Sequence, residues 1–475
     1  MRRSTTPVLR RRLRETRVIE LPLPAARPEV PHSHGHAKTF AGALLVAMVI
    51  GAVLLATPWA TEDGTTVPPV DALFTAVSAG AVTGLVTRDT QTQWNLFGEL
   101  VILVLIQIGG LGFMVGASLV LQTLRRGDHR LGDALLVHHG GPAYSLHEAA
   151  HLSRRIVRFT FATEAVGALL LTLHFQRDMP WSAALWHGTF HAISAFCNAG
   201  FDLQGGFVSL APYRTSVGVN VVVALLIQAG ALSYIALEDV ARYRRWARLA
   251  VDTKLVLVVN GLLLLVGTVV FLAAEWGRAL GTTPPVYRPM AAVFQSVAAR
   301  TAGFASVDFA TLHSATLFVW VSLMLVGGAS GSTAGGVKLS TVGIIVAAVL
   351  SAVRGQEDPV VFGRRVGTPL VFRAMAVVVL MVLAHFVVTL LLAVTEDLAR
   401  PGDFSFIALM FEAMSALATV GLSTGITPSL STAGKLIVCA AMFFGRLGPL
   451  TAAYALQRRQ QPVRYRLPIT PVRIG

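Results

Sequence analysis

The sequence predicts an all-helical integral membrane protein of four tandem helix, pore loop, helix repeats: eight transmembrane helices around a pseudo-fourfold pore. Three observations predict it. Only 13% of the 475 residues are charged and 54% are hydrophobic, with a mean hydropathy of +0.64. A soluble domain carries about 25% charged residues, so much of this surface faces lipid. Apolar runs of roughly 18 or more residues recur, each long enough to cross a hydrocarbon layer about 30 Å thick. A glycine-ended motif stands four times in the chain, each time between two such runs.

The elements follow in order. Residues 1–39 read as a cytosolic tail rich in Arg and Pro. The first apolar run begins near Phe40, too far from Met1 and too long for a signal peptide. Repeat 1 is predicted over 40–122, repeat 2 over 156–240, repeat 3 over 254–352 and repeat 4 over 371–456. Outer helices are expected over 40–58, 156–174, 254–275 and 371–395, inner helices over 98–122, 215–240, 312–352 and 434–456. The shorter apolar segments 71–83, 183–198, 287–301 and 404–419 are too short to span. Irregular backbone at membrane depth survives where it is buried in protein or lines water, so they read as re-entrant segments. Cytosolic loops are expected over 123–155, 241–253 and 353–370, and a cytosolic tail over 457–475.

Orientation follows from Lys and Arg. They crowd the N-terminal tail, the loops after each pair (Arg125, Arg126, Arg242, Arg244, Arg245, Arg364, Arg365) and the C-terminal tail (Arg458, Arg459, Arg464, Arg466, Arg473). The opposite side carries few, such as Arg88, Arg177 and Arg288. Both termini are therefore expected in the cytosol of a plasma-membrane protein, with the re-entrant segments entering from outside. The net charge of +14 is topological and does not imply nucleic acid. Two cysteines in apolar surroundings, Cys197 and Cys439, exclude a disulfide framework or a cysteine zinc site.

The four motifs are FTAVSAGAVTGL (Phe74–Leu85), FHAISAFCNAGF (Phe190–Phe201), FQSVAARTAGF (Phe294–Phe304) and FEAMSALATVGL (Phe411–Leu422). Three have Ser four residues after the Phe: Ser78, Ser194 and Ser415. The third has Ala298 there and is one residue shorter before its Gly. Each repeat crosses twice, so all four share one orientation and can surround one axis. Turns meeting there would put backbone carbonyls in a ring that replaces a cation's water shell. Gly reaches backbone angles closed to other residues and leaves the axis clear. Each preceding short helix should aim its negative end at the axis. The expected filter is Val82, Thr83, Gly84; Asn198, Ala199, Gly200; Thr301, Ala302, Gly303; and Thr419, Val420, Gly421.

These loops resemble those of the Trk/Ktr/HKT superfamily of potassium transporters. QIGGLGFMVG (Gln107–Gly116), GGASGSTAGGVK (Gly327–Lys338) and GRLGPLT (Gly445–Thr451) are similar to that family's first inner helix, intramembrane loop and last inner helix. Eight spans without an extra N-terminal pair are more similar to the Ktr membrane subunit than to the longer Trk one. The resemblance implies potassium uptake, with K+ held by filter carbonyls and Na+ as a candidate activator. It also implies a homodimer in membrane lipid and a cytosolic ring of nucleotide-binding regulatory subunits. Some plant members have Ser at the first filter glycine and favour sodium, whereas Gly84 favours potassium. Asn198-Ala199-Gly200 and Thr301-Ala302-Gly303 depart from the tetrameric channel filter, which points to weaker selectivity.

The third inner helix is too long and is interrupted by Gly327, Gly328, Ser330, Gly331, Ser332, Thr333, Gly335 and Gly336. Each Gly costs a helix up to about 1 kcal/mol relative to Ala, and a watery pore would satisfy the freed backbone. The resemblance implies that this loop obstructs the pore and moves on activation. Arg446, inside the last span, should face the pore or backbone carbonyls and hold the loop. Lys338 either takes part in the gate or snorkels. Arg300 is either a structural charge on pore-loop carbonyls or tunes ion occupancy. Glu164 reads as an inter-helix hydrogen-bond partner, and Glu412 as a negative charge at a helix start.

Gly110–Gly116 has a GxGxxxG pattern but no preceding strand, and Gly331–Lys338 lacks the Gly-Lys pair of a phosphate loop. His32, His34 and His36 lie in a Pro-rich tail, and His138, His139, His147 and His151 lack an HExxH pattern. No nucleophile, base and orienter stand together, so an enzyme is not expected. A membrane-embedded enzyme or a sodium- or proton-coupled transporter is the alternative. It would need paired acids or histidines deep in the spans, where the isolated Glu164 stands.

Overall fold

The computed structural model describes residues 33–126, 142–356 and 358–448, with side chains over 41–115, 151–356 and 358–448. The histidine cluster's side chains, His138, His139, the N-terminal tail to residue 32 and the C-terminal tail lie outside the described residues.

The described chain is helical, apart from a hairpin pairing Val360–Val361 with Arg364–Arg365. Outer helices are Ser33–Leu55, Pro142–Phe175, Val251–Glu275 and Thr368–Ala399. The short helices are Pro69–Gly80, Trp181–Phe196, Arg288–Ala298 and Phe406–Leu417. Inner helices begin at Leu96, Val217, Ser314 and Thr432. Among the described residues, four helices are long and apolar enough to span: Leu96–Val115, His151–Phe175, Val251–Glu275 and Thr368–Ala399.

Three elements differ from expectation. The first helix starts at Ser33, inside the stretch assigned to the tail, and the second outer helix starts at Pro142 rather than near 156. Both extensions are polar helical turns that hydropathy does not mark. The second inner helix, expected as one span over 215–240, ends at Ala231 and turns by 98° into Tyr234–Tyr243. Ser233 makes the turn at φ +65° and caps the new helix, its hydroxyl accepting from Ala236 N–H. The carbonyls freed at Gly230 and Ala231 accept from Thr333 N–H at 3.2 Å and Ala329 N–H at 2.8 Å, so the glycine-rich loop satisfies this helix end.

Local sequence sets the short helices. Pro69 and Pro289 occupy early positions where no intrahelical donor is needed, and Ser405 caps the fourth by accepting from Ala408 N–H. Their packing is central. Phe74, Phe190, Phe294 and Phe411 are each at most 1% exposed, whereas the long outer helices leave Leu262, Leu265, Phe386 and Leu390 open. Carboxylates from outer helices cap the inner helices beside them. Glu275 accepts from His313 N–H at 3.0 Å, and Glu396 from Ser431 N–H at 3.1 Å. The first and last repeats are clasped by Lys435 Nζ on Asp71 Oδ1 at 2.7 Å, and Arg88 Nε meets Asp71 Oδ2 at 2.9 Å.

Candidate functional site

The four glycine-bearing turns begin where the short helices end. In each, the first and third residues have positive φ. The pairs are Val82 (56°) and Gly84 (96°), Asn198 (60°) and Gly200 (71°), Thr301 (62°) and Gly303 (76°), Thr419 (50°) and Gly421 (93°). Backbone that alternates handedness turns successive peptide groups to one side, where a strand would alternate them. A branched side chain in the left-handed region costs of order 1–3 kcal/mol, so packing must hold Val82, Thr301 and Thr419 there.

The short helices supply that hold. The middle residue's N–H donates to a serine carbonyl in three repeats: Thr83 to Ser78 (2.8 Å), Ala199 to Ser194 (2.7 Å) and Val420 to Ser415 (2.8 Å). The serine hydroxyls add a second tie. Ser78 accepts from Gly84 N–H at 3.1 Å, Ser415 from Gly421 N–H at 3.0 Å, and Ser194 donates to Phe201 O at 2.7 Å. In the third repeat Ala302 N–H reaches Ala298 O at 3.1 Å, a turn one residue tighter, which absorbs the missing residue.

The turns lie against one another in cyclic order. A Cβ built on Gly84 would overlap the Ala199 carbonyl oxygen, and one on Gly200 would stand 2.8 Å from that of Ala302. One on Gly303 would stand 2.7 Å from Val420 O, and one on Gly421 would overlap Thr83 O, closing the ring. The hydroxyls of Thr83, Thr301 and Thr419 are buried with no protein partner among the described residues. An unsatisfied buried hydroxyl costs about 1–3 kcal/mol, and a dehydrated cation is one group that would satisfy it. The oxygen-rich donor set suits a hard monovalent cation.

A second set of tethers lies one residue after three of the four phenylalanines, whereas Thr75, after Phe74, donates to Asp71 O within its own helix. Glu412 accepts from Ser423 Oγ at 3.1 Å and closely from Thr427 Oγ1. Gln295 Nε2 donates to Ser306 Oγ at 2.8 Å, and His191 Nε2 faces Leu203 N–H at 3.5 Å. Each ties the chain beyond the glycine back to its own short helix. Glu412 therefore sits mid-helix holding a loop, and its expected placement at a helix start is corrected. The readable signal is a polar residue after each Phe: Thr75, His191, Gln295, Glu412.

The glycine-rich loop lies under the ring. A parallel bridge joins Val326 to Val337, and Gly327 N–H donates to Val337 O at 2.9 Å. Gly331 (φ 77°) and Gly336 (φ 61°) make its turns. A Cβ on Gly335 would overlap Thr419 Oγ1, one on Gly327 would lie 3.3 Å from Thr301 Cγ2, and one on Gly328 2.8 Å from Ser332 Oγ. Thr333 Oγ1 donates to Phe196 O at 3.2 Å, and Ser330 meets Ser340 at 3.2 Å. The loop thus touches the third and fourth turns and the end of the second short helix.

Arg446, 1% exposed, donates to Thr333 O at 2.5 Å and Gly109 O at 2.6 Å, joining the loop to the first inner helix. Its guanidinium lies 4.6 Å from the centre of the Phe113 ring. Lys338 donates to Ala334 O at 2.5 Å and lies 5.2 Å from the same ring, so its side chain turns into the loop. Phe113, between two cations, was also unread. Glu164 accepts from Gln107 Nε2 at 3.2 Å, a bond between helices. Arg300 donates to Asn260 O at 3.0 Å, an outer-helix carbonyl rather than a pore-loop one. Outside the helices, burial pushes the Asp202 carboxyl up to about 6; the Gln204 N–H opposes this and nearby Asp89 adds to it.

Apolar helices around a ring of glycine turns, with a loop pinned beneath it, define a membrane cation-transport protein. The chain belongs to the TrkH family of cation transport proteins, which matches residues 44–462. It is 37% identical to the Ktr system potassium uptake protein B of Bacillus subtilis, covering 88% of this chain and 93% of that one. It is 34% identical to the potassium/sodium uptake protein NtpJ of Enterococcus hirae, covering 92% and 96%. The fold is similar to the potassium transporter TrkH of Vibrio parahaemolyticus, with a TM-score of 0.68 at 19% identity, covering 89% and 85%. These relatives are transporters, and the chain is not an enzyme.

Proposed function

We propose that the chain carries potassium into the cell through the ring of glycine turns. The carrying observation is the cyclic contact of Gly84, Gly200, Gly303 and Gly421, each against the next turn's carbonyl. Eight membrane crossings in four repeats, with both termini cytosolic, bring the turns in from outside. Permeation is passive, and carbonyls with the Thr83, Thr301 and Thr419 hydroxyls replace the ion's water. The relatives named for potassium uptake support this cargo.

The loop 327–337 is the gate, and Arg446 is the latch that holds it shut. Opening requires the latch to leave Thr333 or Gly109. A homodimer with a cytosolic nucleotide-binding ring would supply that work. The name of the Enterococcus hirae relative favours a second reading in which sodium is an activator or a co-transported ion. Potassium-limited growth of an uptake-deficient bacterium tests the proposal. The full chain with its candidate regulator should restore growth at low potassium. Failure to do so, with the protein present in the membrane, would refute it.

A further inference from the structure

Two pockets of one plan lie behind the second and third turns. Each takes a Gln from the preceding repeat's inner helix (Gln107, Gln228) and a polar residue from its own outer helix (Glu164, Asn260). Each is completed by the residue just before the turn (Cys197, Arg300). In the second pocket Glu164 accepts from Gln107 Nε2 at 3.2 Å and from Cys197 Sγ at 3.8 Å. In the third, Arg300 Nη1 donates to Asn260 O at 3.0 Å and to its Oδ1, and Asn260 Nδ2 donates to Gln228 Oε1 at 3.0 Å. One pocket holds a carboxylic group and its neighbour a guanidinium.

Arg300 is 3% exposed, and its Nε and Nη2 have no partner among the described residues. No described carboxylate pairs with it. It follows the C-terminal turn of the short helix Arg288–Ala298, whose negative end faces the ring, and there a cation offsets that field. The corresponding residues elsewhere are Ala81, Cys197 and Ala418, with no cationic side chain. Thr301, the next residue, forms the base of the ring above Gly327.

We infer that Arg300 sets how tightly the base of the ring holds its cation, by cancelling one of the four helix fields aimed there. The guanidinium lies within roughly 10 Å of the Thr301 carbonyl by the reach of its side chain. At that distance in a partly screened interior a unit charge changes ion affinity severalfold. Its presence weakens the innermost site and speeds release towards the gate. The inference rests on the potassium pathway proposed above.

The test is rubidium flux into liposomes holding the full chain, measured against potassium concentration. Arg300→Gln and Asn260→Glu should each lower the half-saturating concentration, by roughly three- to tenfold, and reduce maximal flux. Asn260→Glu keeps the guanidinium and gives it a counter-charge, as Glu164 stands in the neighbouring pocket. It therefore decides alone if Arg300→Gln does not fold. An unchanged half-saturation in folded Asn260→Glu would overturn the inference, as would an unchanged half-saturation in folded Arg300→Gln. An unaltered chain without flux would instead defeat the pathway on which the inference rests.

Discussion

Repeats 1, 2 and 4 close their glycine turn with a serine, and repeat 3 closes it without one. Ser78, Ser194 and Ser415 each bind the turn twice, through carbonyl and hydroxyl, while Ala298 binds it once across a tighter turn. The third repeat also carries Arg300 where the others have Ala81, Cys197 and Ala418, and its inner helix breaks into the loop beneath the ring. Three repeats tie their turn twice, and these three departures are grouped in the third repeat. The lesson is that an approximate fourfold ring can be tied twice on three sides and once on the fourth, above the loop that interrupts its inner helix.

That comparison can be broken most severely at the ring. Gly421→Ala puts a methyl into the Thr83 carbonyl and should abolish potassium flux, a fall on the order of a hundredfold for a misplaced site. Near-normal flux in that variant would mean that the ring tolerates side chains. Next in size is Arg446, the proposed latch. Arg446→Gln loses two charge-assisted bonds to Thr333 O and Gly109 O, worth about 1.5–3 kcal/mol each. Basal flux without the regulator should rise about tenfold in a stopped-flow liposome assay, and a fall would argue that Arg446 holds the open state.

Smaller effects sharpen the contrast between repeats. Ser415→Ala should cost about 1 kcal/mol at the fourth turn and reduce potassium over sodium selectivity roughly fivefold in competition flux. Ala298→Ser, with no turn of matching length to bind, should leave selectivity within about twofold. The smallest effect is on pH. Asp202 is charged above about 6 and neutral below it, so acidifying the outside from about 7.5 to 5 removes a negative charge near the mouth. Half-saturating potassium should rise about twofold on acidification, and Asp202→Asn should remove that dependence.

Much of this was legible in residues. Four phenylalanines nine or ten residues before four glycines locate the turns, because a short helix must bury its first anchor and end in a conformation open to Gly. The run Gly327–Gly336 locates the break for the same reason. Contacts between distant positions were not legible. Asp71 and Lys435 stand 364 residues apart, and Arg446 reaches Gly109 across 337. The turn at Ser233 was hidden because its surroundings read as one apolar span, and what ends the helix is the loop that takes its carbonyls. Glu412 was misplaced for a similar reason: its partners Ser423 and Thr427 lie past the glycine, on a segment whose return path only the fold sets.

The most direct test of the ring is selectivity at Gly84, whose turn meets its neighbours at the Ala199 carbonyl and Gly200. Potassium and sodium flux should be compared in liposomes holding the unaltered chain or Gly84→Ser. The account predicts potassium preference in the first and its collapse towards sodium in the second. Equal potassium preference in both would contradict it.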